Sequence, residues 1–221
     1  MIWGQKKTRY DLDKLIYLAR VANEPYTLLV AGKSPYKTLK DLQNVSRLTW
    51  GSEGIGSGRW LPSFLAAKNL KLGFDVIGGY RGTGESLPGL IRGDFIVWIN
   101  PADHPSVIPV LKTGDVRCVV HLGVTRAAAC PDTPTPKELG HDFALEILRL
   151  VAAPPGTPPE RVKIMESLLM KAMADEGFIK WTKKSGSLVN PGDGAAARKS
   201  FNNLITMAKR ERAAMKKALG K

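Results

Sequence analysis

The sequence of 221 residues is poor in the side chains that most often hold metals or carry redox chemistry. It has two cysteines, Cys118 and Cys130, and three histidines, and it contains no CxxC pair. The histidines are scattered, so no spacing typical of a metal site occurs. Two cysteines permit a disulfide but are weak evidence for one, and the sequence leaves that question open. The composition therefore predicts neither a metal nor a cofactor.

Long apolar runs are also lacking. The opening residues, MIWGQKKTRYDLDKL, have no apolar core of the kind that a signal peptide needs. No run approaches the roughly 18 apolar residues of a membrane span. From the sequence alone we expect a soluble chain that carries no export signal of its own.

Acidic residues are scarce relative to basic ones. The net charge is +13, from 33 Lys and Arg against 20 Asp and Glu, and residues 160–221 contribute +8 of it. These charges lie among periodic apolar residues, which is typical of solvated helix faces. Steering of an anionic ligand, or a surface for a polyanion or nucleic acid, is the alternative interpretation. No known nucleic-acid motif accompanies the charge, and aromatic residues are few there.

What is present is an alternation of short apolar runs with short helical patterns. The runs predicted as strands are PYTLLVAG (25–32), SRLTWGS (46–52), GFDVIGGY (73–80), DFIVWIN (94–100), VRCVVHLGV (116–124) and LEILRLVAAP (145–154). This order predicts an α/β fold with a largely parallel sheet. Helices follow to the C-terminus, the last beginning near Ala195 with Asp193 as a candidate cap.

Two glycine-rich loops each follow a strand and open a helix. We call residues 52–59 loop one and residues 78–86 loop two. Free N–H groups at a helix N-terminus, together with glycines that allow a close backbone approach, are typical of anion sites. The candidate donors are Ser52, Gly54, Gly56 and Ser57 in loop one, and Arg81, Gly82, Thr83, Gly84 and Ser86 in loop two. If the two strands are neighbours, both loops face one crevice. Tight turns without a ligand are the alternative.

The loops fit neither a nucleotide site nor a known catalytic motif. Loop one lacks the G-x-G-x-x-G register, because Arg59 stands where the third glycine would have to be, and no G-x-x-x-x-G-K-[ST] occurs. Gly56-Ser57-Gly58 is not the G-x-S-x-G elbow, and neither loop contains a histidine. An enzyme that uses Ser57 or Ser52 is the weakest hypothesis, since no base stands nearby in sequence.

Several segments, taken in order, resemble one protein family. They are SPYKTLKDL, TWGSEGIGSGRWL, VIGGYRGTGESLPGLIRGD, LKTGDVRCVVHLGVTR, PDTPTPKELG and VAAPPGTPPERV. Together they resemble the solute-binding receptors of tripartite tricarboxylate transporters, the TctC or Bug family. The resemblance runs from about Tyr10 to the C-terminus. It implies a type II periplasmic-binding-protein-like α/β fold, in which two lobes are joined by crossover strands.

The resemblance also implies a domain division and a function. Residues 34–149 would form the second lobe, and residues 1–33 with 150–221 an incomplete first lobe. The protein would be an extracytoplasmic receptor, not an enzyme, that closes over a small organic acid in an interlobe cleft and works with the membrane subunits of a secondary transporter. Periplasmic localisation and no nucleic-acid partner follow from the same resemblance.

The family's binding loops can be carried over residue by residue. Its ligand carboxylate is held by loop N–H groups, hydroxyls and waters rather than by a salt bridge. The implied ligand-binding residues are Ser52, Gly54, Gly56, Ser57, Tyr80, Gly82, Thr83 and Gly84. We expect these residues to form half of a carboxylate clamp.

Three departures from the family pattern qualify this expectation. Trp60 stands where the family has His, which predicts a bulkier and more apolar pocket wall, and Gly79 replaces a proline. The third departure is at the front, where the family's opening strands and a further binding loop have no counterpart in this sequence. We therefore expect uncovered apolar faces, poor stability or dimerisation, and weak or absent ligand binding by the 221-residue form.

Overall fold

The computed structural model describes residues 11–185 and 187–218, and the chain divides into two compact units. Unit 1 combines Met1–Glu24 with Ile147–Lys221, and unit 2 is Pro25–Glu146. The division thus falls nine residues earlier than the boundary expected after residue 33, and three earlier than the one expected after residue 149. Residues 1–10, 186 and 219–221 of the predicted first lobe lie outside the described residues.

The elements alternate in type along most of the chain. In order they are β1 (Ile16–Pro25), β2 (Thr27–Ala31), α1 (Leu39–Gln43), β3 (Thr49–Gly51), α2 (Trp60–Asn69), β4 (Asp75–Ile77), α3 (Thr83–Arg92), β5 (Trp98–Asn100), α4 (Ile108–Lys112), β6 (Val116–His121), β7 (Glu146–Ala153), α5 (Pro159–Ala174), α6 (Glu176–Ser185), β8 (Gly192–Asp193), α7 (Gly194–Arg210) and α8 (Arg212–Ala218). Short 3-10 turns occupy Leu12–Lys14 and Lys137–Leu139. The α/β class expected from the sequence is confirmed.

Strand β2 lies at the centre of the unit 2 sheet. It pairs antiparallel with β5 on one side and with β6 on the other, and all five of its residues are buried. Strands β3 and β4 pair in parallel, and a parallel bridge between Trp50 and Val97 links β3 to the strand segment before β5. The prediction of a largely parallel sheet is therefore wrong for β2, because this strand enters from β1 rather than from a βα crossover.

The core of unit 2 lies between this sheet and helix α3. Leu87 and Leu90 of α3 pack against Leu29, Phe95 and Trp98. Gly93 ends the helix in the left-handed conformation, with φ 93°, as expected for a glycine that closes a helix. This packing fixes the start of α3, and with it loop two, against the sheet.

Unit 1 is built on the sheet β7-β1-β8, with β1 antiparallel to β8. Its core joins Tyr17 of β1 to Ala197, Phe201 and Ile205 of α7. Asp193 caps α7, since its side chain accepts a hydrogen bond from the backbone N–H of Ala196. The predicted cap is thus confirmed, whereas β1 was not anticipated from the sequence.

Helix α5 of unit 1 is largely uncovered. Met173 is its single buried residue among those described, and Ile164 and Leu168 have 58% and 55% of their surface exposed. Met165 lies on the same side of the helix and is also exposed. These three residues are called the exposed apolar residues of α5 below. Within the described residues no helix is long and apolar enough to span a bilayer.

Candidate functional site

The two glycine loops lie side by side at the carboxyl ends of β3 and β4. These strands pair in parallel, so the condition under which the two loops would lie together is met. The backbone N–H of Ser52 donates to the carbonyl of Ile77 at 3.0 Å, and that of Gly79 donates to Glu53 at 3.4 Å. Loops one and two are therefore tied to each other by their backbones, before any side chain is considered.

Loop one turns on glycines in the left-handed region. Gly56 has φ 80°, a conformation that costs an L-residue strain, and the turn closes when the N–H of Ser57 donates to the carbonyl of Gly54 at 3.2 Å. Gly54 itself has φ 140°. The glycines thus shape the loop and present Ser57 at the start of α2.

Ser52 is buried beneath this turn. Its hydroxyl has no exposed surface, accepts a hydrogen bond from the N–H of Gly54 at 3.3 Å and lies 3.1 Å from the Ser57 hydroxyl. A group in this position holds the loop together. The Ser52 hydroxyl is therefore enclosed by the loop, whereas Ser57 is half-buried and lies next to the start of α2.

The Ser57 hydroxyl is engaged by the protein's own acid. It donates to Oε2 of Glu53 at 3.1 Å and accepts from the N–H of Trp60, the first residue of α2, at 3.3 Å. The Ser52 hydroxyl lies 3.1 Å from that of Ser57 and also donates to the Gly54 carbonyl at 3.5 Å. Ser57 therefore accepts from the first N–H of α2 and orients the Glu53 carboxylate at the same time.

Arg59 completes this arrangement and joins loop one to the end of β5. Its Nε donates to Oε1 of Glu53 at 3.1 Å, and its Nη1 donates to the Ile99 carbonyl at 2.7 Å and to Oδ1 of Asn100 at 2.9 Å. The guanidinium also lies over the Trp98 ring, 5.0 Å from the ring centroid. We call Glu53, Ser57, Arg59 and Asn100 the loop-one network.

The charge state of Glu53 follows from these contacts. Burial raises the pKa of its carboxyl group, but hydrogen bonds from its own backbone, from Arg59 and from Ser57, together with the Arg59 charge, hold the pKa below its usual value. The Glu53 side chain is 31% exposed and that of Arg59 is 13% exposed. A largely buried ion pair therefore stands where a clamp for a foreign carboxylate was expected.

Sequence reasoning missed Glu53 and Asn100, and it treated Arg59 only as a residue that breaks a nucleotide fingerprint. A signal was present, because an acid and a base flank the glycines of loop one. Asn100 ends a strand predicted as buried. Its role depends on the approach of the β5 segment to β3, where a parallel bridge joins Trp50 to Val97 and the N–H of Gly51 donates to the Val97 carbonyl.

Loop two offers donors with no acceptor in their own helix. Gly82 precedes α3 with φ 71° and makes no side-chain cap, and the first helical bond runs from the N–H of Ser86 to the Gly82 carbonyl at 3.1 Å. By helix geometry, the N–H groups of Thr83, Gly84 and Glu85 have no intrahelical partner. Thr83 is half-buried and Gly84 is exposed. A carboxylate of the chain already lies at this helix start, since Oε2 of Glu85 accepts from the N–H of Arg81 at 2.8 Å. A helix start of this kind favours anions.

The side chain of Tyr80 packs against its neighbours in this structure. Its hydroxyl donates to Oδ2 of Asp94 at 3.0 Å, and its ring meets Phe95 edge to face, 5.0 Å between centroids. A side chain at Gly89 would collide with this ring, since an added Cβ would lie 2.7 Å from it. Burial and the hydrogen bond to Asp94 raise the pKa of Tyr80.

Trp60 lies in the core of unit 2, so the expectation that it forms a pocket wall is wrong. It is 1% exposed, it stacks on Phe64 at 5.2 Å between centroids, and it meets Phe74 edge-on at 6.0 Å. The physical reason is that the apolar positions of α2 face inward, and the first helical residue shares that direction. A bulky ring is accommodated there by aromatic packing.

Two buried polar atoms adjoin the loops without a hydrogen-bond partner. They are Nδ2 of Asn100, in the loop-one network, and the hydroxyl of Ser86, in the first turns of α3. Buried polar groups are seldom left unpaired in native structures. In the described part of the chain, no group of three His, Cys, Asp or Glu side chains is placed to hold a metal ion.

Comparison with known proteins identifies a family for this chain. The family model described as "Tripartite tricarboxylate transporter family receptor", TctC, matches residues 3–218. Among curated proteins, a "UPF0065 protein in gbd 5'region" of Cupriavidus necator is 31% identical over 173 residues, which cover 76% of this chain and 52% of the relative. The chain therefore spans about half the length of this relative.

Solved structures share the fold. A TctC solute-binding protein from Polaromonas, without ligand, has a TM-score of 0.76 and 19% identity, and the match covers 91% of this chain and 70% of that protein. A Rhodopseudomonas palustris protein with adipate has a TM-score of 0.69 and 20% identity, over 97% of this chain and 72% of that protein. Identities this low show the common fold alone.

Proposed function

The chain belongs to the tripartite tricarboxylate transporter receptor family, TctC, and from this premise we propose that it captures a small organic acid by its carboxylate. TctC proteins are periplasmic solute-binding receptors rather than enzymes. We propose the same role for this chain, with the membrane subunits of a tripartite transporter as its partners. It would bind its ligand without transforming it.

The observation that carries this proposal is the start of helix α3. Three successive N–H groups, those of Thr83, Gly84 and Glu85, have no acceptor in their own helix, and the loop that leads to them is tied to loop one by the hydrogen bond from the Gly79 N–H to the Glu53 carbonyl. The partial positive charge at a helix start favours an anion. A carboxylate is the anion that one relative's structure suggests, since that protein holds adipate.

The residues expected from the sequence take different parts in this proposal. Gly82 and Gly84 give the ligand access to the backbone, and Thr83 adds a hydroxyl. On the side of loop one, Ser57 and the glycines form the adjoining surface. The loop also depends on Ser52 as an internal support, and Tyr80 holds the base of loop two, since its side chain is engaged with Asp94 and Phe95.

The disulfide between Cys118 and Cys130 supports the proposed compartment. It joins strand β6 to the loop that follows it, over a sequence separation of 12 residues. Disulfides persist in oxidising compartments such as the bacterial periplasm and are rare in the cytosol. Periplasmic localisation of this chain is part of the proposal.

The test is a ligand-observed NMR screen of mono-, di- and tricarboxylates, each beside a neutral alcohol of matched length. We expect acids to bind with dissociation constants on the order of millimolar, and the alcohols to bind not at all. Thr83→Pro removes the backbone donor at the first helical position, where proline is tolerated, and Thr83→Val removes the hydroxyl alone.

The two variants distinguish the contribution of the Thr83 backbone N–H to binding from that of its side-chain hydroxyl. Thr83→Pro should weaken binding by about tenfold, and Thr83→Val should weaken it less, because the N–H stays in place. Thermal unfolding of both variants controls for folding. Absence of binding by every acid, or equal binding by Thr83→Pro and the unmodified chain, would overturn the proposal.

A further inference from the structure

Unit 2 contains a cavity of about 480 Å³ that is built from residues outside loops one and two. Its walls come from the loop that follows β6 and from the 3-10 turn at Lys137–Leu139. The lining residues are Val124, Thr125, Arg126, Thr135, Lys137 and Glu138. Cavities of this size can enclose a small organic ligand. We call it the β6 cavity.

One ion pair joins the two walls of the β6 cavity. Nη2 of Arg126 lies 2.9 Å from Oε1 of Glu138, and Oε2 of Glu138 accepts from the N–H of Thr135 at 2.7 Å and from its hydroxyl at 3.0 Å. The hydrogen bonds from Arg126 and from Thr135 lower the pKa of Glu138 to about 2, so the carboxylate is charged at neutral pH. The two charges of this pair compensate each other.

The wall that follows β6 is closed on itself. The disulfide between Cys118 and Cys130 encloses residues 124–126 in a short loop. Nη1 of Arg126 also donates to the Pro131 carbonyl at 3.0 Å. Because these links are made within the protein, the wall is formed before a ligand enters, and preorganisation of this kind favours binding.

Two polar groups of the lining are left for a ligand. Within the described residues, the Lys137 ammonium and the Thr125 hydroxyl make no hydrogen bond or ion pair, and both residues are exposed. Val124 has 71% of its surface exposed. Since Arg126 and Glu138 compensate each other, the lining offers one uncompensated positive charge and an apolar side chain. That combination suits an anion that carries an apolar chain.

We propose that the β6 cavity is a second binding site, and that it takes an organic monoanion with a short apolar chain. The charge of the ligand pairs with Lys137 and accepts a hydrogen bond from Thr125, while the chain packs against Val124. A cation gains little there, because the Glu138 carboxylate is already engaged by Arg126 and Thr135. The inference does not depend on the proposed function, since no residue of loop one or loop two takes part.

The test is an amide-resolved NMR titration of the full chain with hexanoate. Acetate, which lacks the apolar chain, and hexan-1-ol, which lacks the charge, are titrated beside it. We expect saturable hexanoate shifts at the amides of the six lining residues, with a dissociation constant on the order of millimolar. Acetate and hexan-1-ol should each bind there at least about threefold more weakly.

One pair of variants assigns the charge. Lys137→Gln keeps most of the side-chain length and removes the charge, so it should weaken hexanoate binding about threefold, as expected for an exposed ion pair. Lys112→Gln is the matched control, because Lys112 is equally exposed to substitution at the surface and lies outside the lining. It should bind hexanoate like the unmodified chain.

The outcomes separate this inference from the proposed function. Unmoved lining amides with hexanoate, or equally tight binding of hexan-1-ol at these amides, overturn the inference. An equal loss of affinity in Lys137→Gln and Lys112→Gln also overturns it, because the overall charge of the chain would then explain the effect. Shifts confined to the amides of residues 83–85 support the proposed function and refute the inference, whereas shifts confined to the lining amides support the inference and not the proposed site at α3. The comparison of the three compounds on the unmodified chain needs no variant to fold.

Discussion

At the scale of single residues, the two glycines at the start of helix α3 have different backbone conformations, which the composition does not reveal. Gly82 precedes helix α3 with φ 71°, whereas Gly84 lies within the first turn of the helix, and an added Cβ would meet nothing within 4 Å at either position. The two glycines therefore differ in conformation but not in available space.

Alanine substitution at these two positions should have opposite effects. Gly82→Ala forces a left-handed conformation on an L-residue and should lower the free energy of unfolding by about 1–3 kcal/mol. Gly84→Ala should leave it unchanged or raise it by up to about 1 kcal/mol, through helix propensity. Urea unfolding of both variants checks this. Equal effects at the two positions would show that the φ of Gly82 is not retained in solution.

His121 should make stability depend on pH. It is buried, its Nδ1 lies 2.8 Å from Oγ1 of Thr27, and burial lowers its pKa, against a smaller opposing effect of Asp103. The unfolded chain therefore takes up this proton first, near pH 6.5. The free energy of unfolding should fall as the pH drops through about 6.5 toward the lower folded-state pKa, by at most about 1.4 kcal/mol per pH unit.

The measurement is urea unfolding between roughly pH 7.5 and 5. His121→Asn should flatten this part of the profile relative to the unmodified chain. Parallel profiles for the unmodified protein and His121→Asn would refute the assignment.

At the scale of secondary-structure elements, the sequence predicted most of what holds the site. Strands β2 to β6 follow from apolar runs bounded by turn residues. Strand β1 was missed because its burial does not follow a simple alternation. The loop-one network was also missed. Pairing between elements distant in sequence, here that of β3 with the segment before β5, brings its members together, and no local pattern encodes such a pairing.

The disulfide should stabilise unit 2 because it links strand β6 to the loop that follows it. Cys118 lies on β6, and its partner Cys130 closes a short loop. Closing a loop of this length restricts the unfolded chain by about 3 kcal/mol in the chain-entropy description. The double substitution Cys118→Ser and Cys130→Ser should lower the free energy of unfolding by about that amount.

The check for the disulfide combines two measurements. Mass spectrometry of a non-reduced digest should find the two cysteine peptides linked, and urea unfolding with and without reductant should reproduce the loss in the double variant. An unlinked digest from protein isolated under oxidising conditions would contradict the assignment.

At the scale of the whole molecule, unit 1 has less apolar side-chain burial than unit 2. Helix α5 leaves Ile164, Met165 and Leu168 exposed, and strand β7 contains no fully buried residue. The exposed apolar residues of α5 are the observation on which the expected uncovered apolar faces of this unit rest, and that expectation stays a prediction. Expected dimerisation and poor stability stay predictions, as does the alternative that the basic residues of the C-terminal helices bind a polyanion.

Uncovered apolar residues predict self-association of the 221-residue chain. Sedimentation velocity should show a concentration-dependent increase in mass, and Leu168→Glu should reduce it by placing a charge among the exposed apolar residues of α5. Ser167→Glu adds the same charge at the neighbouring exposed position and should have a smaller effect. A strictly monomeric chain across the concentration series would contradict this prediction.

The central claim is that the start of α3 and the adjoining loop one bind an organic acid. The most direct measurement is a ¹H–¹⁵N NMR titration of the unmodified chain with 6-hydroxyhexanoate, beside 1,6-hexanediol, which has the same length and no carboxylate. We predict saturable shifts of the Thr83, Gly84 and Glu85 amides with the acid, and none with the diol. Unmoved amides at these positions at millimolar acid, or equal shifts with the diol, would contradict the claim.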